Sequence, residues 1–392
     1  MSRPAFSRML SLLVIAAHSV ALARLIRSAR QRLRDTSHSA SDARPPNERI
    51  VAIVPVLDEQ SRLAPCLEGL ISQPPVVSAI VVVDTGSSDR TAQLVAAYHM
   101  RDPRVRWLPV GSPPVGWNGK VWGLVHACQT FPANWYLIID ADVRPAPTLA
   151  ERMLALALQH GVTCGSVALH QRPMPDIGSW LLHPAFLTTL VYRYGVPGRL
   201  HSEPGDALAN GQAMLLHRRA VEALDDLRSL AHSNAEDVAA ARRLVQLGHR
   251  VAFWDALDDS SVTMYRDGRA IWHGWPRSLP AHEERPVWRN LLDMALLLGT
   301  QGAWLPLFLA SWRDAALRPA ALLALAVRFG MAWGIRRAYP RRPIWYWLAP
   351  LADPLVVVRL FTSSWDRRPT WRGRPIGKDV QHARESLGVD SL

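Results

Sequence analysis

Residues 135–145 read WYLIIDADVRP. A short apolar run that closes on polar residues is the pattern of a strand buried on both faces. Here it closes on two carboxylates one residue apart, Asp140 and Asp142. In an open α/β sheet, ligands sit beyond the carboxyl ends of such strands. Carboxylates that close repel each other unless a cation or a proton relieves them. Oxygen donors suit a hard cation, Mg²⁺ or Mn²⁺, which takes one or two carboxylates and completes its shell with substrate phosphates. The stretch therefore predicts a metal–phosphate site at a strand end. The plainer alternative is a strand followed by a polar turn.

Further short β-rich runs flank it: VAIVPVL (51–57), AIVVVDT (79–85) and VRWLP (105–109). Helix-like segments separate them at 62–72, 88–98 and 119–130, the second preceded by Ser87 and Ser88 as candidate N-caps. Strand and helix in alternation imply a largely parallel sheet with right-handed crossovers. Carboxylates again fall at strand ends. Asp58 and Glu59 follow the first strand and Asp84 ends the second, before the turn Thr85–Ser88. No GxGxxG and no GxxxxGK[ST] occurs, so neither a dinucleotide fold nor a P-loop is supported.

The net charge of +12 is unevenly spread. Residues 1–49 carry +6 and 311–378 carry +10, while 50–310 are close to neutral at −2. Positive charge that avoids the folded middle argues against nucleic acid as a partner. Basic flanks beside apolar segments mark cytoplasmic membrane borders. Four segments are apolar enough to meet a bilayer: 9–26, 291–310, 317–335 and 344–361. The first is followed by Arg27, Arg30, Arg32 and Arg34, which predicts an uncleaved anchor rather than a signal peptide. The fourth contains Pro350, Asp353 and Pro354, which predicts a segment that dips in and returns. Cys66, Cys128 and Cys164 are too few and scattered for a disulfide framework or a zinc site.

The ordered set IVPVLDE, VVVDTGSSDRT, WNGKVWGL, LIIDADV, ALANGQAMLLHR and NAEDVAAARRLVQLGHRV resembles the family 2 glycosyltransferases, across roughly residues 48–280. GWNGKVW and the late WRGRPIG (371–377) are similar to the membrane-bound branch that acts on lipid acceptors, nearest the hopanoid-associated and carotenoid-type enzymes. The resemblance implies an α/β fold of the GT-A type, Rossmann-like with a largely parallel sheet. It implies a division into an anchor and basic linker (1–47), a GT-A domain (48–285), membrane helices (286–365) and a basic cytoplasmic tail (366–392).

It also implies roles for particular residues. Pro55, Asp58 and Glu59 match a strand-end motif that usually reads Asn-Glu, so Asp58 is a departure. Asp84 matches the carboxylate that recognises the nucleotide base, with Ser87 beside it. Asp140 and Asp142 match the DxD pair, Asp142 being the direct ligand of Mg²⁺ or Mn²⁺. Lys120 matches a basic residue near the donor phosphates. Asn210, Gly211 and Gln212 match a loop on the acceptor side. Asp237 matches the catalytic base, with Glu236 as the next candidate; the plain alternative is an acidic first helical turn. QxxRW, carried by processive polysaccharide synthases, is absent after the base, and Arg277 stands where it could supply the missing phosphate contact.

The implied partners are a nucleotide-sugar donor, a lipid acceptor and the membrane, with the catalytic domain on the cytoplasmic side of the inner membrane. The chemistry fits these residue types. A diphosphate leaving group needs neutralisation, and an acceptor hydroxyl needs a carboxylate to take its proton. A single base opposite the leaving group gives inversion. A polysaccharide-forming enzyme and a catalytically silent scaffold of the same fold are the alternatives.

Overall fold

The computed structural model describes residues 3–32, 48–172, 174, 176–255, 260–278, 286–363, 370–371 and 374–375. The chain divides into two compact units: residues 33–170, 197–264 and 368–392 form one, and residues 1–32, 171–196 and 265–367 form the other.

The first unit is built on an eight-stranded sheet. Its strands are β1 (Ile50–Val56), β2 (Val77–Asp84), β3 (Val105–Pro109), β4 (Trp135–Ile139), β5 (Cys164–Val167), β6 (Arg199–His201), β7 (Ala213–His217) and β8 (Val251–Trp254). Their order across the sheet is β3-β2-β1-β4-β7-β5-β8-β6. The pairings β1–β2, β2–β3, β1–β4 and β5–β8 are parallel. β7 runs antiparallel to both β4 and β5, a reversal that the alternating pattern does not announce. All five residues of β4 are buried, as expected of a strand covered on both faces.

Helices α1 (Leu63–Ile71), α2 (Thr91–Arg101), α3 (Gly119–Thr130), α4 (Leu149–His160) and α5 (Glu236–Gln246) supply that cover. The period-2 alternation of β1 assigns them to sides. Ile50, Ala52, Val54 and Val56 share a core with Leu63, Leu67, Val95 and Met153. Val51 and Ile53 face Val121, Leu124, Ala240 and Leu244. Each fully buried aliphatic side chain contributes roughly 1.5–3 kcal/mol, so both layers are well anchored. The carboxyl ends of β1, β2 and β4 open at one edge. Because β7 is antiparallel, its amino end, Ala213 opposite Ile139, opens there too.

The second unit is helical and apolar outside. Its helices include Arg3–Arg30, Ile177–Tyr194, Gly268–Ser278, Val287–Leu297, Trp304–Ser311, Arg318–Ile335 and Asp353–Ser363. Leu12, Leu13, Leu291, Leu322 and Leu355 are all exposed. Three helical runs are long and apolar enough to cross a membrane: Ala5–Arg30, Ala315–Ala338 and Ile344–Ser363. A fourth exists if Val287–Gly302 and Trp304–Ser311, bent by 43°, count as one.

Residues 344–363 were expected to break at Pro350 and Asp353. They run helically, with a 3₁₀ turn at Ala349–Ala352 that accommodates Pro350. Asp353 does not interrupt the run either, because it is paired. Arg328 grips both its oxygens, and the Gln301 side-chain amide (2.7 Å) and the Trp304 indole N–H (3.0 Å) also donate to it. Removing one partner of such a buried pair costs about 3–5 kcal/mol. Asp293 takes a second arginine, Arg24, at 2.8 Å. The helix Ile177–Tyr194 falls within the expected 48–285 domain in sequence but packs in this apolar unit. Most of WRGRPIG, with Lys378, lies outside the described residues; Thr370–Trp371 pairs with Arg374–Pro375 as a two-stranded ribbon.

Candidate active site

Four chain segments reach the open edge of the sheet. The first turn after β1 places Asp58 at φ 55°, in the left-handed region. Asn and Asp are the non-glycine residues that tolerate this conformation best, so an Asp in place of the usual Asn keeps the turn. The Asp58 N–H donates to the Ser87 hydroxyl at 2.9 Å, and its Oδ1 accepts from the backbone N–H of Ser88 at 2.7 Å and of Asp89 at 3.2 Å. Asp84 in turn accepts from the Ser87 N–H at 3.0 Å and from its hydroxyl at 2.5 Å. Asp58, Asp84 and Ser87 therefore form one connected cradle. Ser87 and Ser88 do not cap α2, which starts at Thr91. Arg90 occupies the N-cap position, and Asp89 just before it accepts from the Thr91 N–H at 2.9 Å. Pro55 is a β1 residue opposite Val83.

Glu59 is buried, and Arg62 grips it with two bonds of 2.8 Å. The same guanidinium lies 3.6 Å from Asp142 Oδ2. Arg62 was not anticipated, although its i,i+3 spacing from Glu59 is visible in the sequence. Asp142 Oδ1 is buried and has no hydrogen-bond partner. Burial, and then the charge of Asp140, pushes the Asp142 carboxyl up to about 7. An orphaned buried carboxylate oxygen beside a second carboxylate is the environment a divalent cation relieves. Among the described residues no cluster of three or more His, Cys, Asp or Glu could hold a metal ion. A cation at Asp140 and Asp142 would thus complete its shell with diphosphate and water, as Mg²⁺ and Mn²⁺ do.

The third segment is the start of α3. Asn118 caps it, accepting from the Lys120 N–H at 2.9 Å, while its amide donates to the Ser233 carbonyl at 3.0 Å. This fixes Lys120, whose ammonium meets Asp140 Oδ1 at 2.7 Å, Glu236 Oε1 at 2.9 Å and the Gly211 carbonyl at 3.1 Å. Burial alone would depress its titration. Asp140, Glu236 and Asp237 outweigh that and hold the ammonium charged well above the usual lysine range.

The fourth segment is the loop Asn210–Gln212 with the first turn of α5. Gln212 accepts the Asp140 N–H on its backbone carbonyl at 3.1 Å. The Asn210 amide bridges the Val167 carbonyl and the Gln212 side chain. Asp237 Oδ2 accepts the Gly211 N–H at 2.6 Å, and Oδ1 accepts the N–H of Val238 at 2.8 Å. A Cβ on Gly211 would lie 2.9 Å from the Lys120 nitrogen and 3.1 Å from Asp237 Oδ2, so a side chain there would displace one or both of these groups. Burial, then the Glu236 charge, pushes the Asp237 carboxyl up to about 7. Glu236 has both oxygens engaged, one by Lys120 and one by the Asn118 amide at 3.4 Å.

Asp84, Asp140, Asp142, Lys120, Asn210–Gln212 and Glu236–Asp237 thus meet at one edge of one unit. Arg277 does not belong to this unit. It stands in the last turn of the helix Gly268–Ser278, and its side chain lies outside the described residues.

A largely parallel α/β sheet with carboxylates at the ends of β2 and β4 and an acidic helix start facing them is the architecture expected of the GT-A type. Residues 51–222 match the model for glycosyl transferase family 2. That match covers less than half of the chain and supports a glycosyltransferase, which is what the protein is. Among solved structures it is similar to a mannosyltransferase from Pyrobaculum calidifontis in complex with GDP-Man and Mn²⁺, at 17% identity and a TM-score of 0.48, covering 91% of this chain and 99% of that one. It is also similar to glucosyl-3-phosphoglycerate synthase from Mycobacterium tuberculosis, solved with Mn²⁺, UDP and glucosyl-3-phosphoglycerate, at 17% identity and a TM-score of 0.35, covering 64% of this chain and 79% of that one. No curated protein sequence matches the chain.

Proposed function

We propose that the protein transfers a sugar from a nucleotide-sugar donor to a lipid acceptor at a membrane surface, with inversion and with a divalent cation, Mg²⁺ or Mn²⁺. The observation that carries this reading is the short bridge between Asp140 and Asp237. The Gly211–Gln212 backbone accepts the N–H of one and donates to the carboxylate of the other. The carboxylates read as cation ligands and the carboxylate read as base are a single loop apart.

Asp84 and Ser87 form the surface for the nucleotide base, with Asp58 bracing their turn. Asp140 and Asp142 would hold the cation, which supplies neutralisation of the leaving diphosphate. Asp237 stands where its free lone pairs can take the proton of an acceptor hydroxyl or carboxyl. Its elevated proton affinity suits that role near neutral pH. Glu236 serves the base rather than replacing it, since the buried Lys120 ammonium is paired to it at 2.9 Å. Asn210 and Gln212 shape the acceptor side. The lipid assignment is supported by the apolar outer surface of the helical unit and by its candidate spans. Sugar nucleotides are cytoplasmic, which puts the catalytic unit on that side of the inner membrane.

Asp142→Asn tests the cation reading. A cation contributes several kcal/mol to such a transition state, so turnover should fall by about a hundredfold or more. Folding should hold, because Asn removes a charge that burial disfavours. Full turnover of the wild type in excess chelator would contradict the reading.

A further inference from the structure

An ammonium has three donors, and in Lys120 all three are occupied. They point to Asp140 Oδ1 (2.7 Å), Glu236 Oε1 (2.9 Å) and the Gly211 carbonyl (3.1 Å). No N–H is left over for a donor phosphate, the contact that resemblance to the family suggests for this residue. The backbone that carries the lysine is also held, because Asn118 caps the helix start and is itself fully buried.

The three partners are not equivalent in function. Asp140 belongs to the pair read as cation ligands. Glu236 adjoins the base Asp237. Gly211 donates its N–H to that base while its carbonyl accepts from the lysine. One buried charge therefore touches the cation side, the base side and the loop between them.

We infer that Lys120 is a positioning residue that couples cation binding to placement of the base, by sharing one positive charge between Asp140 and Glu236. This rests on reading Asp140 and Asp142 as the cation site. Two consequences follow from charge balance alone. With the ammonium beside it, Asp140 is partly neutralised before any cation arrives, which weakens cation binding. Any negative charge that Asp140 commits to a cation is withdrawn from Lys120, whose remaining partners are Glu236 and the Gly211 carbonyl. The cation's arrival then tightens the lysine on the base side, and the base is drawn into register only once the donor half is loaded.

The test is Mn²⁺ affinity of the purified full chain without nucleotide, followed by electron paramagnetic resonance, for wild type, Lys120→Met and Glu236→Gln. Removing the ammonium should tighten Mn²⁺ binding by about tenfold or more, given the strength of a charge pair at this range. Glu236→Gln keeps an oxygen for the lysine but leaves its charge mainly on Asp140. It should weaken Mn²⁺ binding severalfold. Opposite signs in two variants of one cluster do not arise from partial misfolding, and Glu236→Gln carries the test if Lys120→Met fails to fold. If both variants bind Mn²⁺ as the wild type does, while Lys120→Met loses affinity for nucleoside diphosphate, Lys120 is a phosphate contact and the inference falls alone. If the wild type binds no Mn²⁺, the cation reading falls and takes the inference with it.

Discussion

Asp237 titrates near neutrality because burial, then the Glu236 charge, disfavours its ionised form; Lys120 and the two backbone N–H groups only partly offset this. A base must be ionised to act, so kcat/KM should rise with pH through about 7. Glu236→Gln removes a neighbouring charge that raises the group, so this acid limb should move to lower pH; a limb that stays in place would place the base elsewhere. The same shift has a stability consequence of definite sign. The folded carboxyl holds its proton more tightly than the unfolded one, so its contribution is fully present below the unfolded value, about 3.9. That contribution is lost as pH rises through about 7. Asp237→Asn should therefore melt higher than wild type at pH 8 and like it at pH 4, while losing transfer. The residues at strand ends were legible in the sequence because strand period and the open sheet edge fix where Asp84, Asp140 and Asp142 must lie. The partners of Lys120 were not. Gly211 and Glu236 are 91 and more than a hundred residues away, and only the antiparallel entry of β7 brings them in. Asn118 was findable as an N-cap immediately before the helix expected at 119–130.

Among the elements, the four strands expected at 51–57, 79–85, 105–109 and 135–140 and the helix at 119–130 lie within a residue or two of their observed bounds, while β5–β8 were not read from the patterning. The capping of α2 was misplaced because Ser87 and Ser88 are drawn to Asp84 and Asp58 instead. The helical break expected within 344–361 is absent for a similar reason. Proline and aspartate suggest a break, but Pro350 sits in a tolerated 3₁₀ turn and the charge of Asp353 is matched by Arg328. Leu348, Leu351, Leu355 and Val358 instead form an exposed apolar stripe along one face, suited to lying in the interface. The arginines at 336, 337, 341 and 342 should stay cytoplasmic by the positive-inside rule. We therefore expect an impermeant thiol reagent on intact cells to label a cysteine at Trp312, but none at Arg341 or Thr362. All three positions are exposed in the structure, and the native Cys66, Cys128 and Cys164 are buried and free, so background labelling is low. Labelling at Thr362 would mean that residues 344–363 cross after all. Labelling at Arg341 would overturn the orientation of the whole tail.

For the whole molecule, composition showed a neutral catalytic middle between basic, apolar ends, and that division matches the two units in character. It missed their interleaving, since residues 171–196 leave the sheet-bearing unit and join the helical one. An apolar helix such as Ile177–Tyr194, lying between strands of the sheet in sequence, carries no mark of which core it enters. The central claim is that this glycosyltransferase serves a lipid. The direct measurement is transfer of radiolabelled sugar by the purified protein, from a panel of nucleotide sugars, into total membrane lipid with Mn²⁺ present. The account predicts label in the organic phase, abolished by chelator and by Asp237→Asn. Label that appears only in water-soluble products would contradict it.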